Sequence, residues 1–133
     1  MKLSEAIRLG AMMKPQAFGD YFRGGIRKRW QRILNFLGLY SAQESSCAWG
    51  AALEGGFGYL DSEDDVVYPD EYNWLSESII RCPACHIGQS TFYLIVHLND
   101  DHRWTRERIA DWVESIENAQ QSESRALQCA GKG

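Results

Sequence analysis

Two cysteines and two histidines in the C-terminal half of the chain constrain its fold more than any other feature. Cys82 and Cys85 form a Cys-Pro-Ala-Cys motif, eleven residues separate Cys85 from His97, and four separate His97 from His102. Two thiolates and two imidazoles are a ligand set suited to tetrahedral zinc, and the thiolate charges neutralise the ion. The spacing therefore predicts one zinc ion (Zn²⁺) bound by these four side chains.

Two alternatives for this motif stay open. The cysteines could form a redox pair, but such pairs usually open a helix that follows a strand, whereas here we expect a strand to follow the motif. His86 could replace one histidine ligand, although a side chain next to a ligating cysteine usually points away from the metal. Four protein ligands leave no coordination position for water, so we expect a structural zinc and no catalysis at the metal.

The segments around the ligands predict how the zinc would be held. Residues 91–96, Thr-Phe-Tyr-Leu-Ile-Val, are rich in β-branched and aromatic side chains and predict a strand that ends at His97. A second strand is expected before Cys82, and His102 would lie in a turn before a helix capped by Thr105. The zinc would then clamp a strand pair to a helix start. In DNA-reading Cys2His2 fingers both histidines lie instead on the helix, so we expect no major-groove reading.

The remaining chain shows helical patterns. Helices are predicted from Ser4, as N-cap, to about Lys14, over residues 24–38, and over residues 46–54, whose small side chains permit close approach. Two similar stretches, Gly10 to Met13 and Gly50 to Leu53, are interpreted as helix ends that pack on each other. We predict an α+β fold, with a small helical N-terminal part and a C-terminal zinc module of a strand pair followed by one helix. Its parts are a helical region (1–60), an acidic linker (61–76), the zinc module (77–118) and a flexible tail (119–133).

Charge is distributed unevenly along the chain. Residues 1–40 carry eight Lys or Arg against Glu5 and Asp20, whereas residues 41–101 carry eleven carboxylates and a single Arg81. Five basic residues are expected on one face of the helix over 24–38 or just before it: Arg23, Arg27, Lys28, Arg29 and Arg32. This face is either an ordinary solvated surface or a contact for nucleic acid, a membrane surface or an acidic protein. The chain's own acidic linker, which forms an acidic loop, is a further candidate to contact this basic face.

The composition also bears on the compartment. Lys2, Glu5 and Arg8 interrupt any apolar run near the first residue, and no stretch has the roughly 20 apolar residues of a spanning helix. We therefore expect a cytoplasmic protein without a transmembrane segment. In a reducing compartment Cys47 and Cys129 are not expected to form disulfides.

The stretch from His97 to Trp112, HLNDDHRWTRERIADW, follows a Cys-Pro-x-Cys motif. Together with residues 3–10 and 47–54 it resembles a family of small uncharacterised proteins of tailed phages, prophages and some bacteria. The resemblance leaves residues 20–45 and the acidic loop unmatched. It implies the four zinc ligands and a phage or bacterial setting, with the host-cell cytoplasm as the location. Because the family has no established activity, it implies none for this chain.

The leading hypothesis is a non-enzymatic, regulatory binding module in which zinc scaffolds a surface for nucleic acid or for a host or phage protein. One alternative is a virion or assembly component. Another is a metal-dependent nuclease of the HNH type, prompted by Asp101 and His102 beside the cysteine motif. That chemistry needs His102 as a general base and a further Asn and His on the next helix. The helix offers Asn118 and no histidine.

Overall fold

The fold is of the α+β class, as predicted, and the described residues form helices at both ends and three small antiparallel sheets between them. The computed structural model describes residues 1–18, 22–23, 45–63 and 65–132, with the backbone alone described at residues 22, 23 and 45. The helix predicted over residues 24–38 lies outside the described residues. The helices are α1 (Leu3–Met13), α2 (Ala48–Glu54), α3 (Trp74–Glu77), α4 (Thr91–Asp100) and α5 (Arg106–Ala130), with a 3-10 turn at Asp70–Tyr72.

The strands are short and pair in chain order as β1 (Phe22–Arg23) with β2 (Ser45–Ser46), β3 (Tyr59–Leu60) with β4 (Val66–Val67), and β5 (Ile79–Arg81) with β6 (Gly88–Ser90). Two-stranded ribbons of this length are not stable alone, so their geometry depends on packing against the helices. Within the described ranges, no helix is both long and apolar enough to cross a membrane.

The segment from Thr91 to Asp100 is helix α4, so the strand predicted over residues 91–96 is wrong. Its fully buried side chains include Thr91, Leu94, Ile95 and Leu98, which are spaced as on one face of a helix. The Ser90 side chain accepts a hydrogen bond from the Tyr93 amide and begins the helix. Burial of this face against the core therefore outweighs the intrinsic β preference of the segment.

One hydrophobic core joins the N-terminal helices to the C-terminal module. Residues on α1, α2, α4 and α5 contribute to it, and so does Leu75 of α3, which lies in the segment predicted as an acidic linker. The largest fully buried side chains are Trp49, Leu3, Ile7, Leu75, Leu94, Ile95, Leu98, Ile109 and Val113. The apolar side chains of the N-terminal helices and of the hairpin–helix module are thus buried against each other in the same core.

Helices α1 and α2 approach each other at backbone distance. A Cβ atom built on Gly10 would lie 1.9 Å from the Ala51 carbonyl oxygen, and one on Gly55 would lie 2.1 Å from the carbonyl oxygen of Ala6. No side chain fits at either position without moving a helix. The prediction that these two helix ends pack on each other is confirmed.

Helix α5 lies antiparallel along α1 and holds both of its ends. The buried Glu117 carboxylate accepts hydrogen bonds from the Leu3 amide (2.7 Å) and the Ser4 hydroxyl (2.5 Å) at the α1 N-terminus. At the other end the Arg106 guanidinium donates to the carbonyl oxygens of Ala11 (3.3 Å) and Lys14 (2.5 Å). A carboxylate at the N-terminus and a cation at the C-terminus both complement the helix dipole.

Two predicted helix boundaries change as a result. Ser4 is not the N-cap of α1: the helix begins at Leu3 after Lys2, because a carboxylate from α5 satisfies the first amide. Thr105 caps α5 as predicted, accepting from the Arg108 amide at 3.2 Å. However, α5 continues to Ala130 rather than ending near residue 118, and its residues from Gln121 onward are all exposed.

Candidate metal centre

The two cysteines lie at the tip of the β5–β6 hairpin. The Cys82 amide donates to the Ile87 carbonyl at 2.8 Å, and the His86 amide donates to the Cys82 carbonyl at 3.0 Å, which closes a tight turn around Cys85. His86 adopts a positive φ of 66° to complete this turn. Pairing of Ile79 with Ser90 and Arg81 with Gly88 fixes the register of the hairpin below it. The hairpin thus presents both thiols on one knuckle.

The two histidines come from the end of α4 and the turn that follows it. His97 lies in the last turn of the helix, and the amides of both Asp101 (2.9 Å) and His102 (3.3 Å) donate to its carbonyl oxygen. The chain then reverses at Arg103, which has a φ of 54°, and the Trp104 amide returns to the Leu98 carbonyl at 2.9 Å. This turn places His102 back over the helix end.

All four predicted ligands come together. One ligand atom from each of Cys82, Cys85, His97 and His102 lies within 4.8 Å of all the others. The Cys85 Sγ to His97 Nε2 distance is 3.3 Å, and the two histidine Nε2 atoms are 3.1 Å apart. Around tetrahedral zinc, bond lengths of about 2.0–2.3 Å put ligand atoms roughly 3.3–3.8 Å apart. The cluster therefore has nearly the dimensions of a zinc shell and could hold a metal ion. Among the described residues, the exposed His86 lies outside this group.

A carboxylate orients one of the histidines. Asp101 Oδ2 lies 2.5 Å from His97 Nδ1, the ring nitrogen that faces away from the cluster. A proton held on Nδ1 by this contact leaves the lone pair of Nε2 directed at the other three ligands. Ligating histidines usually have such an outer partner, which fixes the tautomer and raises ligand basicity. Sequence reasoning considered Asp101 only for the nuclease alternative and missed its contact with His97.

The cluster lies at the boundary of the core. Cys82 is fully buried, His97 and His102 are half-buried, and Cys85 is exposed. Burial raises the pKa of the Cys82 thiol, whereas the amide N–H groups of Cys85 and Ala84 and the Cys85 side chain lower it. The lowering is larger in total, so the net shift of the pKa is downward. The amide donors that cause this shift would also stabilise a metal-bound thiolate.

The order hairpin, helix, histidines corrects the expected contrast with DNA-reading fingers. His97 lies on a helix that follows a β-hairpin, as in those fingers, and not at the end of a strand. The side chains that would read bases from such a helix, at positions −1, 3 and 6, are here Ser90, Tyr93 and Val96. Tyr93 and Val96 cannot make the bidentate contacts that distinguish base pairs. Major-groove reading by α4 is still not expected, now because of its side chains.

Asn99, which lies between the two histidines, joins the cluster to the N-terminal half of the chain. It is fully buried and donates to the Ala17 carbonyl at 2.9 Å, while its oxygen accepts from the Gln16 side chain (3.0 Å) and the Ala48 amide (3.2 Å). Ala48 is the first residue of α2, so Asn99 helps to cap that helix. A polar residue at a core position of the α4 pattern was the sequence signal for this role.

The basic residues predicted to bind a partner have no described side chains. Arg23 lies in β1, where only the backbone is described, and Arg27, Lys28, Arg29 and Arg32 lie outside the described residues. Their role stays a prediction. Neither a family model, nor a curated protein, nor a solved structure matches this chain. The candidate metal centre is thus defined by its geometry.

Proposed function

We propose that this chain is a non-enzymatic binding protein in which a structural zinc ion, held by Cys82, Cys85, His97 and His102, supports a surface for a partner molecule. The observation that carries the proposal is the convergence of these four ligand atoms within 4.8 Å of one another. Two thiolates and two imidazoles favour zinc over harder ions such as Mg²⁺ and Ca²⁺. Four protein ligands also complete a tetrahedral shell, which leaves no position for a reacting water.

The position of the site supports a structural role for the metal. The zinc would tie the tip of the β5–β6 hairpin to the end of α4 and to the turn that leads into α5. Asn99 extends that connection to residues 16–17 and to the start of α2. Metal binding would therefore contribute directly to the folding free energy of the chain.

The identity of the partner is a separate part of the proposal. Contact with nucleic acid through Arg23, Arg27, Lys28, Arg29 and Arg32 predicts a slope of about −4.5 in log K against log salt, at ~0.9 per phosphate. A slope near zero would exclude this mode. A phage or bacterial setting and a cytoplasmic location remain predictions from the resemblance and the composition.

Metal analysis tests the zinc. Cys85 and Cys129 are both exposed free cysteines, one inside the cluster and one on α5 outside it, so they make a matched pair. We expect one zinc per chain in the wild-type protein and in Cys129→Ser, and almost none in Cys85→Ser. Chelation should also lower the melting temperature of the wild type, since the folded state loses a ligand that it binds preferentially. Full zinc retention by Cys85→Ser would refute the proposed ligand set.

A further inference from the structure

A shallow apolar groove lies beside the β3–β4 hairpin, on a part of the chain that holds no metal ligand. Its volume is about 270 Å³, and its lining residues are Phe57, Gly58, Tyr59, Val67, Tyr68 and Pro69. Tyr59 is 63% exposed although it is a large aromatic residue. The groove therefore offers aromatic and proline surface to a partner.

The floor of this groove is rigid. Phe57 is buried and lies edge-on to Tyr72, with ring centroids 4.8 Å apart, and Tyr68 stacks on Trp49 at 6.3 Å. The Tyr68 hydroxyl is in turn hydrogen-bonded to the Ser76 hydroxyl. A Cβ on Gly58 would lie 2.2 Å from the Val67 carbonyl oxygen, so the two hairpin strands are held at backbone contact. A preformed floor lowers the ordering cost of binding.

Exposed carboxylates lie along the chain on both sides of the groove. The hairpin loop carries Asp61, Glu63 and Asp65, and the Asp61 side chain accepts from the Glu63 (2.8 Å) and Asp65 (3.0 Å) amides. Asp70 and Glu71 follow directly after Pro69 and are also exposed. Over residues 41–80 the sequence contains nine carboxylates and no Lys or Arg. The segments that flank the groove residues in the chain are thus anionic, which disfavours nucleic acid and favours a cation.

We propose that this groove binds an extended cationic segment of a partner protein, with proline or leucine side chains on the aromatic floor and arginine or lysine side chains at the carboxylates. Aromatic-lined grooves recognise extended, proline-containing segments because these enter a preformed site at low entropic cost. Charge complementarity between the segment and these carboxylates adds specificity and speeds association. The inference rests on the proposed binding function and adds to it a second surface with a cationic protein partner, but it involves no metal ligand.

Fluorescence anisotropy with a labelled peptide tests the groove. The probe is a fluorescein-labelled nonapeptide of three Arg-Pro-Leu repeats, and its counterpart carries glutamate in place of arginine. Zinc content is measured on the same sample, so that failure of the groove is distinguishable from failure of the metal site. We expect saturable binding of the cationic peptide and none of the anionic one.

Two groove variants separate the aromatic lining from the neighbouring carboxylates. Tyr59→Ala should weaken binding about tenfold, as expected for an aromatic anchor. The double variant Asp70→Asn, Glu71→Gln should weaken it roughly threefold at low salt and less at high salt, because exposed charges are screened. Leu127→Ala and Glu123→Gln change an exposed apolar and an exposed acidic residue on α5, and both should bind the peptide like the wild type.

Three results would overturn the proposal. The first is the absence of binding by zinc-loaded, folded protein, and the second is equal affinity of Tyr59→Ala and wild type, which would mean that charge alone attracts the peptide. The third is concentration-dependent dimerisation in analytical ultracentrifugation that Tyr59→Ala abolishes, since the groove would then bind a second copy of this chain. Circular dichroism of each variant confirms that the fold is intact.

Discussion

Asp101→Asn should weaken zinc binding without removing a ligand. The Asp101 carboxylate lies 2.5 Å from His97 Nδ1 and would keep the proton on that nitrogen. An asparagine can still accept a hydrogen bond through its amide oxygen, but it carries no charge and can also present its NH₂ group to the ring. The substitution therefore reduces the preference for the ligating tautomer and the basicity of Nε2.

The size of the effect follows from the exposure of Asp101. Loss of such an outer partner typically costs 10–100-fold in metal affinity, which is about 1.4–2.8 kcal/mol at ~1.4 kcal/mol per tenfold. The Asp101 side chain is 65% exposed, so water competes for its charge. We therefore expect a loss near the lower limit, about tenfold.

Competition with a chromophoric chelator measures the zinc dissociation constant of each variant. Glu107→Gln is the matched control, because it removes one exposed carboxylate from the first turn of α5 and leaves the cluster intact. Equal affinity of Asp101→Asn and wild type would refute the orienting role. A loss beyond a thousandfold would contradict it as well, since Asp101 would then have to ligate the metal itself.

Three further predictions concern the scaffold around the site. Gly10→Ala should lower the free energy of unfolding, measured in urea, by about 1–3 kcal/mol, because the new Cβ meets the Ala51 carbonyl oxygen at 1.9 Å and this clash outweighs the helix preference of alanine. Gly131→Ala, whose Cβ would have its nearest neighbour 3.6 Å away, should leave the free energy of unfolding nearly unchanged. Equal effects of the two substitutions would refute the close approach of α1 and α2. Glu117→Ala should cost about 2–4 kcal/mol by leaving the Leu3 amide and Ser4 hydroxyl without their acceptor, whereas exposed Glu123→Ala should change stability by less than about 0.5 kcal/mol. Burial and the nearby Glu117 and Glu71 carboxylates raise the pKa of Tyr72 from 10.0 to about 12. The stability that this shift contributes should therefore be complete below pH 10 and lost as the pH rises through 12. Ultraviolet titration should show a phenol that ionises near pH 12 and is absent in Tyr72→Phe.

The elements that depend on local signals were predictable from sequence. The Thr105 hydroxyl accepts a hydrogen bond from the amide three residues later, and Trp104 lies directly before this cap. The cap and the start of α5 therefore both follow from neighbouring residues. The convergence of the four residues of the candidate metal cluster was likewise predicted from their spacing alone. A helix cap of this kind is encoded within a few residues of the helix that it begins.

The failures share a different cause, namely contacts between distant parts of the chain. Thr91 to Val96 prefer a strand intrinsically, but burial of one helical face against α2, α3 and α5 decides their structure. Asp101 lies four residues after His97, which is the spacing that brings two side chains together on a helix. This signal has no meaning on a strand, so the wrong prediction for residues 91–96 also concealed the carboxylate. Asn99 and Glu117 have partners 51 or more residues away.

The contacts of α5 with both ends of α1 fix how the two helices align along their length. Arg106 and Glu117 lie eleven positions apart on α5, or ~16.5 Å along the helix, and α1 has eleven residues. An insertion or deletion between these two positions would misalign one cap by rotation as well as by length. Beyond residue 120 the same helix makes no comparable demand, because its side chains are exposed. The C-terminal turns of α5 are therefore a place where a label, a fusion partner or an immobilisation tag can be attached without disturbing the fold.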